Sequence, residues 1–319
     1  MISVLTGGGG GAKFIQGLVA CFKDPESVAA IVNTGDDLDL HGLRISPDID
    51  SVTYYLADKI NFKTGWGIAD ETFFAMGALE ALGGESWFSL GDKDLGTHLY
   101  RTQRLLQGAT LSQVTNEIAH RLGITAKILP MTDNAVSTML KVDLDSFEHI
   151  GLTGSEIGFQ HYFVKYRCMP KVLSIRFLNA DTAQASEAVL RSIEESELII
   201  LGPSNPFLSL DPILSIAAIK DLIQENKHKV LAISPIVGGK ALKGPLSKLL
   251  LELGKKSDVL SVAEYLKDLA SYLVIDEADV SHSDLIASMG YDLLVTNTVM
   301  KNKDDAMQLA QFILDRVFK

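Results

Sequence analysis

The sequence predicts an α/β protein: a Rossmann-like, doubly wound, mainly parallel sheet carrying a mainly helical insertion. Two observations lead to this. At the amino end, an apolar run over residues 2–5 breaks at five consecutive glycines and resumes with apolar residues at helical spacing over 12–22; a second apolar strand, Val28–Val32, follows. Such a β-α-β unit requires a parallel sheet covered by helices. Further along, residues 197–201, 229–233, 273–275 and 293–296 repeat the pattern of short apolar strand, turn and helix.

Between these parts, from about 47 to 144, the chain turns polar and helical. Segments 51–57, 71–82, 97–107 and 111–122 carry helical spacing, with one short strand at 126–129. No linker rich in proline, serine or charge separates the parts. The expectation is one domain over 1–319 with a helical insertion over one sheet edge.

Composition narrows the function. The 319 residues are 47% hydrophobic, enough for a sizeable core. A net charge of −11 makes the chain as a whole a poor match for nucleic acid. No apolar stretch reaches the length of a membrane span, and the amino end lacks a basic leader, so a cytoplasmic protein is expected. Cys21 and Cys168 form neither a disulfide framework nor a metal pair.

Gly7, Gly8, Gly9, Gly10 and Gly11, with Lys13 just beyond, stand between a strand and a helix. Glycines there let backbone N–H groups approach an anion at the positive end of the helix dipole, so phosphate or diphosphate is the expected guest. No Gly-Lys-Ser/Thr follows, so this is not a Walker loop.

Acids come next. Asp36, Asp37 and Asp39 follow the second strand, and Ser46-Pro47-Asp48-Ile49-Asp50 adds two more. In extended backbone, Asp48 and Asp50 would project to one side. Carboxylates beside a phosphate loop repel substrate unless a hard cation lies between, so Asp36, Asp48 and Asp50 are candidate Mg²⁺ ligands. Asp37 and Asp39 read better as turn or cap residues.

A third segment supplies Asp92, Asp94, His98 and Arg101. His98, Arg101 and Arg104 share a helix face suited to anionic oxygens, and Asp94 reads as a helix cap. Two later turns follow apolar strands and open on the sheet edge where ligands bind in such folds. They offer Ser204 and Asn205 for a base or ribose, and Ser234 and Lys240, with Lys243 nearby, for phosphate.

Taken together, the segments resemble one family. They are Gly7 to Phe14, Val32-Asn33-Thr34-Gly35-Asp36-Asp37, Gly42-Leu43-Arg44-Ile45-Ser46-Pro47-Asp48-Ile49-Asp50, Gly65-Trp66-Gly67, Trp87 to Asp94, Met131-Thr132-Asp133-Asn134, Phe159-Gln160, Gly202-Pro203-Ser204-Asn205-Pro206 and Ser234-Pro235-Ile236-Val237-Gly238. In this order they are similar to the signature segments of the 2-phospho-L-lactate transferase family of coenzyme F-420 biosynthesis.

The resemblance implies a guanosine-diphosphate-linked donor carrying lactate or enolpyruvate, and Mg²⁺ as cofactor. The acceptor would be the deazaflavin Fo (7,8-didemethyl-8-hydroxy-5-deazariboflavin), with GMP leaving and the enzyme a homodimer. It also implies that Asp50 contacts the acceptor. Asp48 and Asp50 are then the expected catalytic acids, and Asp92, His98 and Arg101 join Asp50 on the acceptor side. Two positions depart from the family pattern: Ser89 replaces an often basic residue, and Asp211 replaces a glycine. The rival readings are a nucleotide-sugar-binding regulator of a related glycine-loop family and, more distantly, an NAD-dependent dehydrogenase.

Overall fold

The computed structural model describes residues 1–146 and 154–317. Short runs rich in valine, isoleucine and leucine form seven strands: β1 (Ile2–Thr6), β2 (Val28–Val32), β3 (Lys127–Pro130), β4 (Leu198–Leu201), β5 (Val230–Ile233), β6 (Tyr272–Asp276) and β7 (Asp292–Thr296). They form one sheet in the order β7-β6-β5-β4-β1-β2-β3. Every pairing in it is parallel. This is the doubly wound order, extended by one strand, and its direction of winding reverses between β1 and β4.

Strand alternation divides the apolar residues between two cores. On one face Leu5, Ile31, Ile199, Leu201 and Ile275 pack with Val189 and Ile193 of the helix Glu187–Glu194 and with Ile219 and Ile223 of Ala217–Glu225. On the other, Val4, Val32, Ile200, Ile233 and Val274 meet Phe14, Ile15 and Leu18 of helix α1 (Gly8–Ala20). The carboxy-terminal helix Lys303–Val317 closes this second face with Leu309, Ala310 and Ile313.

Between β2 and β3 lie a hairpin (Leu38–Leu40 with Leu43–Ile45) and four helices: α2 (Pro47–Leu56), α3 (Phe74–Ala81), α4 (Asp92–Leu106) and α5 (Leu111–Arg121). The expected insertion is therefore present, on the edge formed by β3, but its helical part ends before β3 rather than near 144. Ser137–Asp143 is a strand, paired antiparallel with Glu156–Gly158 and Lys171–Leu178. Its alternation of buried and partly buried residues has the period of two that marks a half-buried strand.

Helix α2 corrects a second expectation. It begins at Pro47, not at 51. Proline suits the first helical position because its missing N–H would have no partner there. Asp48 and Asp50 both fall in the first turn, where carboxylates complement the helix dipole. Two residues apart on a helix, they point about 200° apart. They do not share a side.

One contact fixes α1 against the carboxy-terminal helix. A Cβ on Gly17 would lie 2.4 Å from the Ala306 carbonyl carbon and 2.6 Å from its Cβ. Gly17→Leu should therefore force the helices apart and destabilise the protein by about 1–3 kcal/mol or more, the usual scale of overpacking. Thermal unfolding checks this; an unchanged midpoint would show that the two helices separate without cost.

Candidate functional site

The switch point between β1 and β4 is where open α/β sheets bind ligands. The chain leaves β1 through Thr6 into the glycines and leaves β4 through Gly202 into Pro203, Ser204 and Asn205. Ser204 joins the two exits: its hydroxyl donates to the Gly7 carbonyl at 2.8 Å and accepts from the Gly7 N–H at 3.3 Å.

The five glycines serve two purposes. A Cβ would lie 2.4 Å from Asp48 Oδ2 at Gly7, 2.9 Å from the Pro203 carbonyl at Gly10, and 1.6 Å from Thr6 Oγ1 at Gly11. These three admit the protein's own groups. Gly8 has φ of 67° and nothing within 4 Å of a Cβ, so that side of the loop is open. As the first turn of α1, Gly9 and Gly10 have N–H groups without intrahelical partners.

Asp48 closes the loop from the insertion side. Its Oδ1 accepts from the Gly8 N–H at 2.7 Å, and its Oδ2 accepts from Asn33 Nδ2 at 3.0 Å. Asn33 in turn accepts from the Gly35 N–H at 2.7 Å, which shapes the turn carrying Asp36. Asp36 is 4% exposed, and its Oδ1 has no hydrogen-bond partner. Gln160, from the expected Phe159-Gln160 segment, donates to the Asp36 carbonyl at 3.1 Å.

Burial pushes the Asp36 carboxyl well above the usual range, and the charge of Asp48 raises it further. Burial likewise raises Asp48 to about 6, against the hydrogen bonds from Asn33 and Gly8. Two buried acids that disfavour each other's charge, one with an unpartnered oxygen, have the donor chemistry of a hard-cation site.

Asp50 lies apart from that pair. Both its oxygens accept from the Arg101 guanidinium, through Nη2 to Oδ1 and through Nη1 to Oδ2 at 3.1 Å. Arg101 is fully buried, which lowers its pKa, but Asp50, with Tyr54 and Asp37, outweighs burial and raises it. His98 Nδ1 sits 3.3 Å from Arg101 Nη1 and 3.7 Å from Asp50 Oδ2. Its Nε2 lies 3.4 Å from Asp94 Oδ2, and the Tyr54 hydroxyl donates to Asp94 Oδ1 at 2.5 Å. Burial raises the Asp94 carboxyl, but His98, Tyr54 and Arg101 outweigh it and hold it below the usual range.

Asp50, Asp94 and His98 bring ligand atoms within 4.8 Å of one another, the one such group of three among the described residues. A guanidinium already occupies both Asp50 oxygens, so this cluster fits a buried ion-pair network better than a cation. Asp36, Asp48 and Asp50 accordingly do not form one metal cluster. Only Asp36 and Asp48 come together.

Other sequence candidates are distributed as follows. Asp92, expected on the acceptor side, accepts from Thr72 Oγ1 and from the N–H groups of Phe74 and Ala75, which caps α3. Asp94, read as the cap, is instead in the buried network. His98 and Arg101 are 1% and 0% exposed, so they act on Asp50 and not on an open ligand. Burial and the nearby Lys243 lower the Lys13 pKa, and its ammonium donates to the Met300 carbonyl at 2.8 Å.

Asn205 Oδ1 accepts from the Phe207 and Leu208 N–H groups, while its buried Nδ2 has no partner. Ser234 is occupied in its own turn, accepting from the Ile236 N–H at 3.2 Å. Lys240 is exposed on a two-residue hairpin strand. Lys243 is nearer the loop: its Nζ lies 3.0 Å from a Cβ position on Gly65, whose carbonyl lies 3.2 Å from a Cβ position on Gly9. Asp211, the second departure, accepts from the Tyr265 hydroxyl at 2.5 Å, and burial raises its carboxyl to about 6. It is a packed, paired acid.

Asn33, Tyr54 and Gln160 carried no residue-level expectation. Asn33 and Gln160 lay inside segments read as carrying the family resemblance, and Tyr54 inside the segment 51–57 read only as helical.

Comparison with known proteins identifies the family. Residues 2–307 match the family model described as 2-phospho-L-lactate transferase CofD. The chain is 37% identical over 315 residues to a 2-phospho-L-lactate transferase of Methanocaldococcus jannaschii, spanning 99% of this chain and 97% of that protein. It is 36% identical over 312 residues to a phosphoenolpyruvate transferase of Streptomyces coelicolor, spanning 97% and 96%. A crystal structure of a UPF0052-family protein from Bacillus halodurans superposes with a TM-score of 0.62 over 98% of each chain; at 16% identity, that likeness shows the fold alone. With nearly its whole length matched, the chain belongs to the 2-phospho-L-lactate transferase CofD family and is a transferase.

Proposed function

We propose that the protein transfers a phosphate-linked three-carbon acid, lactyl or enolpyruvyl, from a guanosine diphosphate donor to the ribityl hydroxyl of Fo. GMP leaves, and the reaction is a step of coenzyme F-420 biosynthesis in the cytoplasm. The observation that carries this reading is Asp48 hydrogen-bonded to Gly8 at the open glycine loop, beside the buried Asp36, whose Oδ1 has no hydrogen-bond partner. The names of the aligned transferases from Methanocaldococcus and Streptomyces support the three-carbon acid.

In this reading the amides of Gly9 and Gly10 hold the donor diphosphate, with Lys243 supplying countercharge. Asp36 and Asp48 hold Mg²⁺, which supplies charge neutralisation to the diphosphate and the departing GMP. Asp50 accepts a hydrogen bond from the acceptor hydroxyl and aims it at the phosphorus. Arg101 holds both Asp50 oxygens, so the carboxylate has a fixed direction and serves to orient the hydroxyl.

The Asp48 carboxyl has a clear pH signature. Its pKa in the folded protein, about 6, lies above the ordinary carboxylate value, so the folded state binds the proton more tightly than the unfolded chain. Without divalent cation, the resulting penalty is absent below about pH 4 and complete above about pH 6. Asp48→Asn removes it. The stability of the variant relative to wild type should therefore improve between pH 4 and 7 in chelator, and Mg²⁺ at pH 7 should stabilise the wild type more than the variant. Denaturant titrations at each pH check this; a pH-independent difference, or equal Mg²⁺ stabilisation, would remove Asp48 from the cation site.

For Asp50→Asn, steady-state kinetics with Fo as the varied substrate should show at least a tenfold rise in KM for the acceptor, with kcat within a few-fold, the pattern of lost uniform binding. The half-broken pair with Arg101 should also lower stability by up to about 3–5 kcal/mol. Unchanged KM in a folded variant would place the acceptor elsewhere.

A further inference from the structure

The Gly65-Trp66-Gly67 turn has no part in the chemistry above, yet it borders the glycine loop. A Cβ on Gly9 would lie 3.2 Å from the Gly65 carbonyl, and Lys243 Nζ lies 3.0 Å from a Cβ position on Gly65. Both flanking glycines are left-handed, with φ of 79° and 70°. The turn is closed by Gly65 N–H to the Asn61 carbonyl at 2.8 Å, Asn61 N–H to the Gly67 carbonyl at 3.0 Å, and the Thr64 hydroxyl to the Trp66 carbonyl at 2.7 Å.

The backbone of Trp66 is thus pinned while its side chain is not. The residue is 50% exposed, and among the described residues no ring or cation stacks on its indole. Its neighbour Phe62, by contrast, sits edge-on to Tyr55 with centroids 5.9 Å apart. A half-exposed indole on a pinned backbone beside the glycine loop has the makings of a stacking platform, since a nucleoside diphosphate carries its base one ribose away from its phosphates.

We propose that Trp66 stacks on the guanine base of the nucleotide whose diphosphate the glycine loop holds. This rests on the guanine-nucleotide reading of the donor site. Because stacking needs the base and not the phosphates, the two contributions separate experimentally.

The test is calorimetric titration of GDP, and separately of inorganic pyrophosphate, into the wild type and into Trp66→Ala and Trp66→Phe, all with Mg²⁺. The expected result is a rise of about tenfold or more in the GDP Kd for Trp66→Ala, a smaller rise for Trp66→Phe, and unchanged pyrophosphate affinity. Trp66 and Trp87 are the only tryptophans in the chain, so GDP should also quench fluorescence in Trp87→Phe and not in Trp66→Phe. Equal GDP affinity in wild type and Trp66→Ala, or a loss confined to Fo, overturns the inference while leaving the donor site intact. Wild type that binds pyrophosphate but not GDP overturns the guanine-nucleotide reading itself, and this inference with it.

Discussion

The bridge made by Asp48 is the contact on which the rest of the site depends. One carboxylate receives the Gly8 N–H and the Asn33 amide, so the glycine loop after β1, the turn after β2 and the insertion helix α2 meet at one point. Each partner is buried or partly buried, where an unpaired group would cost about 1–3 kcal/mol, so the three elements hold each other in place. Asp36 is brought beside this point by the same turn, through Asn33 and Gly35. The arrangement concentrates buried carboxyl groups at the mouth of the glycine loop, where burial favours their protonated forms. That placement is the physical link between fold and chemistry.

The insertion keeps Asp48 in register. Asp50, two residues on and pointing away, is bound to Arg101 of α4, and His98, Asp94 and Tyr54 extend the network. A buried pair of this kind adds little net stability compared with apolar packing, but losing one partner is costly, so it specifies geometry more than it strengthens the fold. The first turn of α2 therefore has one acid bonded to the glycine loop and one held by the guanidinium of α4. An acceptor hydroxyl reaching Asp50 would meet a carboxylate whose direction is already set.

Much of this was legible in the sequence. The strand at Val28–Val32 and the glycine-to-helix transition were readable because apolar runs and glycine breaks are local signals. The mainly parallel sheet followed from the repeated β-α pattern, whereas the order of its strands comes from the structure. Spatial neighbours were less legible. Asp48 and Asp50 read as one-sided only if extended, and proline at the first helical position made them two-sided. Asp92 and Asp94 exchanged expected roles because capping of α3 by Asp92 is a tertiary contact, 17 and 18 residues away in sequence. Which of the two expected lysines, Lys240 and Lys243, lies nearer the glycine loop is likewise a matter of how a loop folds back beside Gly65. The glycines were read as ligand space throughout, whereas Gly7, Gly10 and Gly11 make room for Asp48, Pro203 and Thr6.

The claim that joins these points is that a divalent cation binds between Asp36 and Asp48 and not in the Asp50, Asp94 and His98 cluster. Anomalous diffraction from crystals grown with Mn²⁺ and GDP tests it most directly. The account predicts anomalous density between the Asp36 and Asp48 carboxylates, with the Asp50–Arg101 pair intact. Density at Asp50, Asp94 and His98 with Arg101 displaced, or bound nucleotide with no cation at Asp36 and Asp48, would contradict it.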